Sequence, residues 1–172
     1  LPAESFWVQP AGEVHITAAR ASFNLAYIEI DSGPYLVEPG SEAFDNGERP
    51  INVAPSNFVW LDGDDVEFLP AGNGTGAEMA FLWQDAENGE RGMLLRLAAG
   101  YRGEIATAPG HLRAVVAFGS IDYTSGDARI AQPLGAGSYF GSAGKAVHKI
   151  GCDTKSECTV YLRSDAPFTL SN

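Results

Sequence analysis

Apolar residues in this chain come in short runs. The runs at Phe6–Val8, Val14–Thr17, Leu25–Ile30, Asn57–Leu61, Met79–Trp83 and Met93–Leu97 are each bounded by Gly, Pro, Asp or Asn, as are those at His111–Phe118, Ser138–Gly141, Ala146–Ile150 and Thr159–Arg163. Several alternate, as in Phe23, Leu25 and Tyr27, where every second side chain falls on one face. No segment carries an apolar stripe of helical period over three turns. Short strands at regular spacing predict an all-β fold: a sandwich, a jelly roll or a small barrel.

The stretch 38–55, EPGSEAFDNGERPINVAP, breaks this rhythm and reads as a linker or long surface loop. On either side of it lies a repeat. Residues 1–37 align without a gap with residues 134–170 at a constant offset of 133. Six positions are identical: Leu1 with Leu134, Ala3 with Ala136, Ser5 with Ser138, Val14-His15 with Val147-His148, and Pro34 with Pro167. Aromatic positions are kept as well, Phe6 with Tyr139, Trp7 with Phe140 and Tyr35 with Phe168. The organisation expected is the tail of a first unit over 1–37, a connector over 38–65, and a complete barrel over 66–172. The alternative is a single barrel to which residues 1–37 add strands, or an exchange of those strands with a partner molecule. The chain opens on Leu1, not on Met, which suggests that upstream residues have been removed. Strands left without neighbours expose edges that proteins cover, so a homodimer or association with an upstream segment is expected.

Composition sharpens this. Hydrophobic residues make up 45% and charged residues 19%, the balance of a folded domain, while 20 glycines and 10 prolines favour turns over helices. The net charge of −11 disfavours nucleic acid and anionic membranes as partners. No apolar run approaches the roughly 18–20 residues of a membrane span. The two cysteines, Cys152 and Cys158, flank a polar, turn-like segment. Strands joined there would bring them within disulfide range, which implies an oxidising compartment, periplasmic or secreted. Two reduced thiols in a cytosolic hairpin are the alternative. Asn73-Gly74-Thr75 fits an N-glycosylation acceptor, a triplet that arises often by chance.

The chemistry-bearing residues lie between Gly100 and His148. Gly100 and Gly119 have the spacing of the ends of G-x5-H-x-H-x3-E-x6-G, and Gly137 and His148 that of G-x5-P-x-G-x2-H. The N-terminal copy, Pro10-Ala11-Gly12-Glu13-Val14-His15, fits the end of the second pattern. With phrases such as Leu94-Leu95-Arg96-Leu97-Ala98-Ala99-Gly100-Tyr101 and Gly137-Ser138-Tyr139-Phe140, the chain resembles the cupin superfamily. Its nearest likeness there is to cupin domains of ChrR-type anti-sigma factors, within a two-cupin protein.

The resemblance implies a cupin-type β-barrel, a jelly roll or double-stranded β-helix. It also implies a metal held by two His, a carboxylate and a third His, since imidazole and carboxylate suit divalent transition metals. The positions implied are Ala106, Ala108, Leu112 and His148, and only His148 can ligate. His111, one residue before Leu112, is a candidate to turn inward beside His148 as a weak ligand or acid–base group, or else a surface loop residue. His15 takes the place of His148 in the first unit, or else packs on a strand. The expected lining of the barrel is therefore His148, His111, Ala106, Ala108 and Leu112, with His15 and His148 as weak metal candidates. No cofactor is implied unless other residues complete a transition-metal site. Trp7, Trp60 and Trp83 are candidates for a cavity wall or for packing. Three functions follow: a metal-poor barrel that binds or senses a small organic ligand, part of a metal-dependent dioxygenase-like enzyme whose active barrel lies upstream, or an assembly barrel.

Overall fold

Gly and Pro recur so often that the backbone can satisfy its hydrogen bonds only by pairing short strands across turns. The computed structural model describes residues 1–30, 33–72, 74–126 and 128–172, so Asn73 of the acceptor triplet lies outside the described residues. The strands in chain order are β1 (Phe6–Val8), β2 (Ile51–Val53), β3 (Ala77–Gln84), β4 (Arg91–Leu97), β5 (Arg102–Thr107) and β6 (His111–Phe118). They continue with β7 (Ser120–Ser125), β8 (Gln132–Gly135), β9 (Tyr139–Ala143), β10 (Ala146–Cys152), β11 (Cys158–Ser164) and β12 (Phe168–Ser171). The chain divides into two units, Leu1–Asn57 and Phe58–Asn172.

The first unit holds one antiparallel ribbon, with Phe6 of β1 opposite Val53 of β2 and Val8 opposite Ile51. The strands expected at Val14–Thr17 and Leu25–Ile30 are not formed. An alternating pattern marks a strand only where a neighbour takes up its N–H and C=O groups. The segment read as a connector contributes a strand, β2, because Ile51 and Val53 place two β-branched residues on the same face.

In the second unit two five-stranded antiparallel sheets lie in the orders β12-β5-β10-β7-β8 and β3-β4-β11-β6-β9. Directly opposed residues share a face, so register fixes what points inward. In the β10 sheet Ile105 stands opposite His148 and Leu170, Thr107 opposite Ala146 and Phe168, and Tyr123 opposite Ile150. In the β11 sheet Leu112 stands opposite Ser142 and Ser164, and Ala114 opposite Phe140 and Leu162. These faces close on a core that includes Met79, Met93, Leu95, Leu97, Ile105, Leu112, Val116, Ile121, Val160 and Leu162. β5, β7, β8 and β12 escape a search for apolar runs because charged, polar, Gly and Pro residues interrupt them, as in Arg102-Gly103-Glu104 and Gln132-Pro133.

The tryptophans of the second unit do not wall a cavity. A register shift after Phe81 turns Trp83 onto the outer face of the β11 sheet, where its indole N–H donates to Tyr161 at 3.1 Å. Gly92 leaves room for it: a Cβ there would lie 2.0 Å from the indole nitrogen. The Arg163 guanidinium covers Trp83 and pairs with Glu90 through two hydrogen bonds. Trp60 lies under the Arg96 guanidinium, 4.0 Å from it, while Trp7 belongs to the exposed ribbon of the first unit.

Cys152 at the end of β10 and Cys158 at the start of β11 form a disulfide, with Cα atoms 5.8 Å apart and both side chains buried. The bond joins the middle strand of one sheet to the middle strand of the other. Closing a loop this short removes about 2 kcal/mol of denatured-state freedom. Reduction should therefore lower the unfolding free energy of the chain by about 2 kcal/mol, read as a fall in the guanidinium midpoint. An unchanged midpoint after verified reduction would show that the bond adds nothing.

Candidate functional site

His148 sits mid-way along β10, in the middle of its sheet, and is only 2% exposed. A buried imidazole needs partners for both nitrogens, and two strands supply them. Tyr123 on the neighbouring β7 places its hydroxyl 2.9 Å from Nδ1. Ser142 on β9, in the opposite sheet, places its hydroxyl 2.9 Å from Nε2. The chain of hydrogen bonds therefore crosses the barrel interior from sheet to sheet. Either neutral tautomer satisfies it, since each hydroxyl can donate or accept.

Aromatic rings pack against this network. Phe140, two residues before Ser142 and on the same face, lies 4.6 Å from the Tyr123 ring centre and 5.5 Å from that of His148. Tyr123 and His148 are stacked, with centres 5.9 Å apart. Below them Thr107 ties the β9–β10 turn: its hydroxyl accepts from the Ala146 N–H at 2.9 Å and lies 3.1 Å from the Gly144 carbonyl. Burial lowers the pKa of His148 from 6.5 and raises that of Tyr123, so both groups are held neutral. Elsewhere in the core burial pushes Tyr101 up to about 12, and its hydroxyl has no hydrogen-bond partner among the described residues.

Two expected lining residues are displaced by one position of strand register. Ala106 stands opposite Val147 and Thr169 on the outer face of the β10 sheet. Ala108 lies beyond the end of β5, where its N–H donates to Pro167. The side chains β5 aims inward are Ile105 and Thr107, because side-chain direction alternates with a period of two and the pairing with β10 and β12 sets the phase. Leu112 does face inward, 1% exposed and packed in the core.

His111 does not join His148. Its parity on β6 is opposite to that of Leu112, and it is exposed. Its ring Nδ1 lies 2.8 Å from Asp165, and its backbone N–H donates to the same carboxylate at 2.6 Å. That N–H is the first cause holding the Asp165 carboxyl below its ordinary range. His15 is exposed in the first unit, with Nδ1 3.1 Å from the Glu13 carbonyl.

A metal of the kind the resemblance implies does not fit this arrangement. Among the described residues no three His, Cys, Asp or Glu side chains come together as a ligand set. The inward positions around His148 carry Ile105, Thr107 and Leu112, and both ring nitrogens are already engaged. The residues that matter most here, Tyr123, Phe140 and Ser142, are absent from the sequence-based candidates. Only the parity of β9, which puts Phe140 and Ser142 on one face, signals two of them.

Two concavities are found away from His148. One, of about 620 Å³, lies on the outer face of the β10 sheet, where Arg102 pairs with Asp122 at 3.2 Å and Lys149 with Glu104 at 3.7 Å. The other, of about 440 Å³, lies within the first unit around Gly12, Phe44 and Arg49.

The buried, neutral His148 makes stability depend on pH in a defined direction. Its pKa is lowered on folding, so the unfolded chain takes up a proton near pH 6.5 that the folded chain refuses. The stability it allows is present above pH 6.5 and is lost as the pH falls below it. Unfolding free energies measured from pH 7.5 to 5.0 should decline in the native protein, with a shallower slope in His148→Gln. Equal slopes would contradict the assignment. Tyr123→Phe, which leaves Nδ1 without its partner, should cost about 1–3 kcal/mol at pH 7.5.

Comparison with known proteins agrees with this architecture. A cupin-2 domain from Rhodospirillum rubrum superposes with a TM-score of 0.54 at 10% identity, over 75% of this chain and 82% of that one. A protein of unknown function with a cupin-like fold from Ralstonia eutropha gives 0.53 at 18% identity, over 72% and 77%. An RmlC-like cupin from Shewanella frigidimarina gives 0.50 at 16% identity, over 66% and 88%. At these identities the likeness is one of fold, and it establishes the cupin double-stranded β-helix. No curated protein matches the chain. The model of the domain of unknown function DUF4437 matches residues 1–171, and the chain, with its cupin fold, belongs to that family.

Proposed function

We propose that the second unit is a metal-independent cupin barrel, a binding and assembly module within a two-cupin protein. The observation that carries this reading is the crossing network at His148. The one imidazole that could begin a metal site is buried, neutral and hydrogen-bonded at both nitrogens to Tyr123 and Ser142. Extracting it for a metal costs two part-buried hydrogen bonds and returns a single ligand.

The ligand class that suits such a site is a small, uncharged organic molecule. With His148 and Tyr123 held neutral, the site offers an ion no charge to pair with. Binding of this kind is also what a sensing role would use, in line with the ChrR-like phrases of the sequence. The Cys152–Cys158 disulfide supports an oxidising location, periplasmic or secreted.

Challenge with a metal separates this reading from a metalloenzyme. Purified protein incubated with Fe(II), Mn(II), Ni(II), Cu(II) or Zn(II), then dialysed and analysed by plasma mass spectrometry, should retain well under one ion per chain. His148→Ala should leave that figure unchanged. Stoichiometric metal that is lost in His148→Ala would overturn the proposal.

A further inference from the structure

The most conspicuous anomaly of the molecule is the apolar surface of the first unit. Val14, Phe23, Leu25, Ile28, Ile30, Tyr35 and Leu36 are all exposed, and Ile16 and Val37 are 92% and 83% exposed. Isolated apolar residues on a surface need no explanation, but so many within one short stretch mark a face that another surface covers.

The repeat shows what that surface is. Carried back by the offset of 133, β9 falls on a segment that includes β1, among the described residues the one place before residue 40 where the first unit does form a strand. By the same offset β10 falls on residues 13–19, β12 on residues 35–38, and β11 on a segment holding Leu25, Ile28 and Ile30. The exposed apolar residues are therefore concentrated where the repeat calls for strands. In the second unit β10 is flanked by β5 and β7, β11 by β4 and β6, and β12 by β5. Every one of those neighbours precedes β9 in the chain.

We infer that residues 13–19, 25–30 and 35–38 are closing strands of a first cupin barrel, completed by preceding residues of the same polypeptide that supply the counterparts of β4 to β7. The inference rests on the two-cupin reading above and adds the register of the association. A second copy of residues 1–172 cannot take this role, because its own β4 to β7 are already paired within its second unit. By the same offset Leu25, Tyr27, Tyr35 and Val37 take the inward positions of Cys158, Val160, Phe168 and Leu170, and the completing strands alternate with an apolar face turned toward them. His15, at the position of His148, occupies the interior of that barrel. Its surroundings there are set by the incoming strands, so the two barrels can differ in chemistry while sharing a fold.

Hydrogen exchange read by mass spectrometry tests this on two samples, the complete gene product and the 1–172 chain alone. In the complete product, amides of residues 13–19 and 25–30 should exchange as slowly as those of β10 and β11. In the 1–172 chain they should exchange roughly 100-fold faster or more, while β10 and β11 stay protected. A carboxyl-reactive crosslinker should join Glu13 or Glu29 of the complete product to residues that precede residue 1. Fast exchange in both samples would overturn the inference. So would slow exchange in the 1–172 chain, whether monomeric or dimeric by light scattering, since the strands would then be paired without an upstream segment. None of these outcomes bears on metal retention by the second unit, so the two proposals fail separately.

Discussion

The second unit depends on one constraint: its two middle strands, β10 and β11, are consecutive in the chain but belong to different sheets. Each must bury its inner face against the other sheet while its edges are paired on both sides. The alternation of Ile150 and His148 on β10, and of Leu162 and Val160 on β11, meets this demand. The disulfide at the turn between them fixes the point at which the chain changes sheets. Phase follows from there. Once β10 and β11 have chosen their inward residues, antiparallel pairing dictates the inward residues of β5, β7, β4 and β6.

His148 is an imidazole that this phase places in the core, and the barrel answers it with hydroxyls and aromatic rings. A buried polar group is tolerated when its hydrogen bonds are complete, and here they reach across the interior from Tyr123 to Ser142. The same contacts that make His148 acceptable in the core make it a poor ligand. The cupin fold therefore carries no metal chemistry by itself. What remains is a barrel whose distinctive polar feature joins its two sheets.

Much of this was legible beforehand. Runs such as Met93–Leu97 and His111–Phe118 read as strands because both faces are largely apolar or β-branched. The cupin spacing from Gly100 to His148 named the fold. The site was harder, for a reason of geometry. Glycine spacing locates a strand to within a residue, but parity changes with every residue, so Ala106 and Ala108 stood in for Ile105 and Thr107. Tyr123 lies 25 residues before His148, and Ser142 six residues before it at a position no motif specifies, and only strand pairing brings the three together. The strands expected in the first unit show the converse: a sequence can hold strand-like patterns that stay unformed where no neighbour accepts their hydrogen bonds.

The central claim, that His148 is a neutral histidine committed to two hydroxyls, is open to direct spectroscopic test. Long-range proton–nitrogen correlation spectra of ¹⁵N-histidine-labelled protein report protonation and tautomer at each ring nitrogen. The account predicts a neutral ring for His148 at pH 6.5, in either tautomer and unmoved by added zinc. A ring already protonated at that pH, or a nitrogen shifted by zinc, would contradict it.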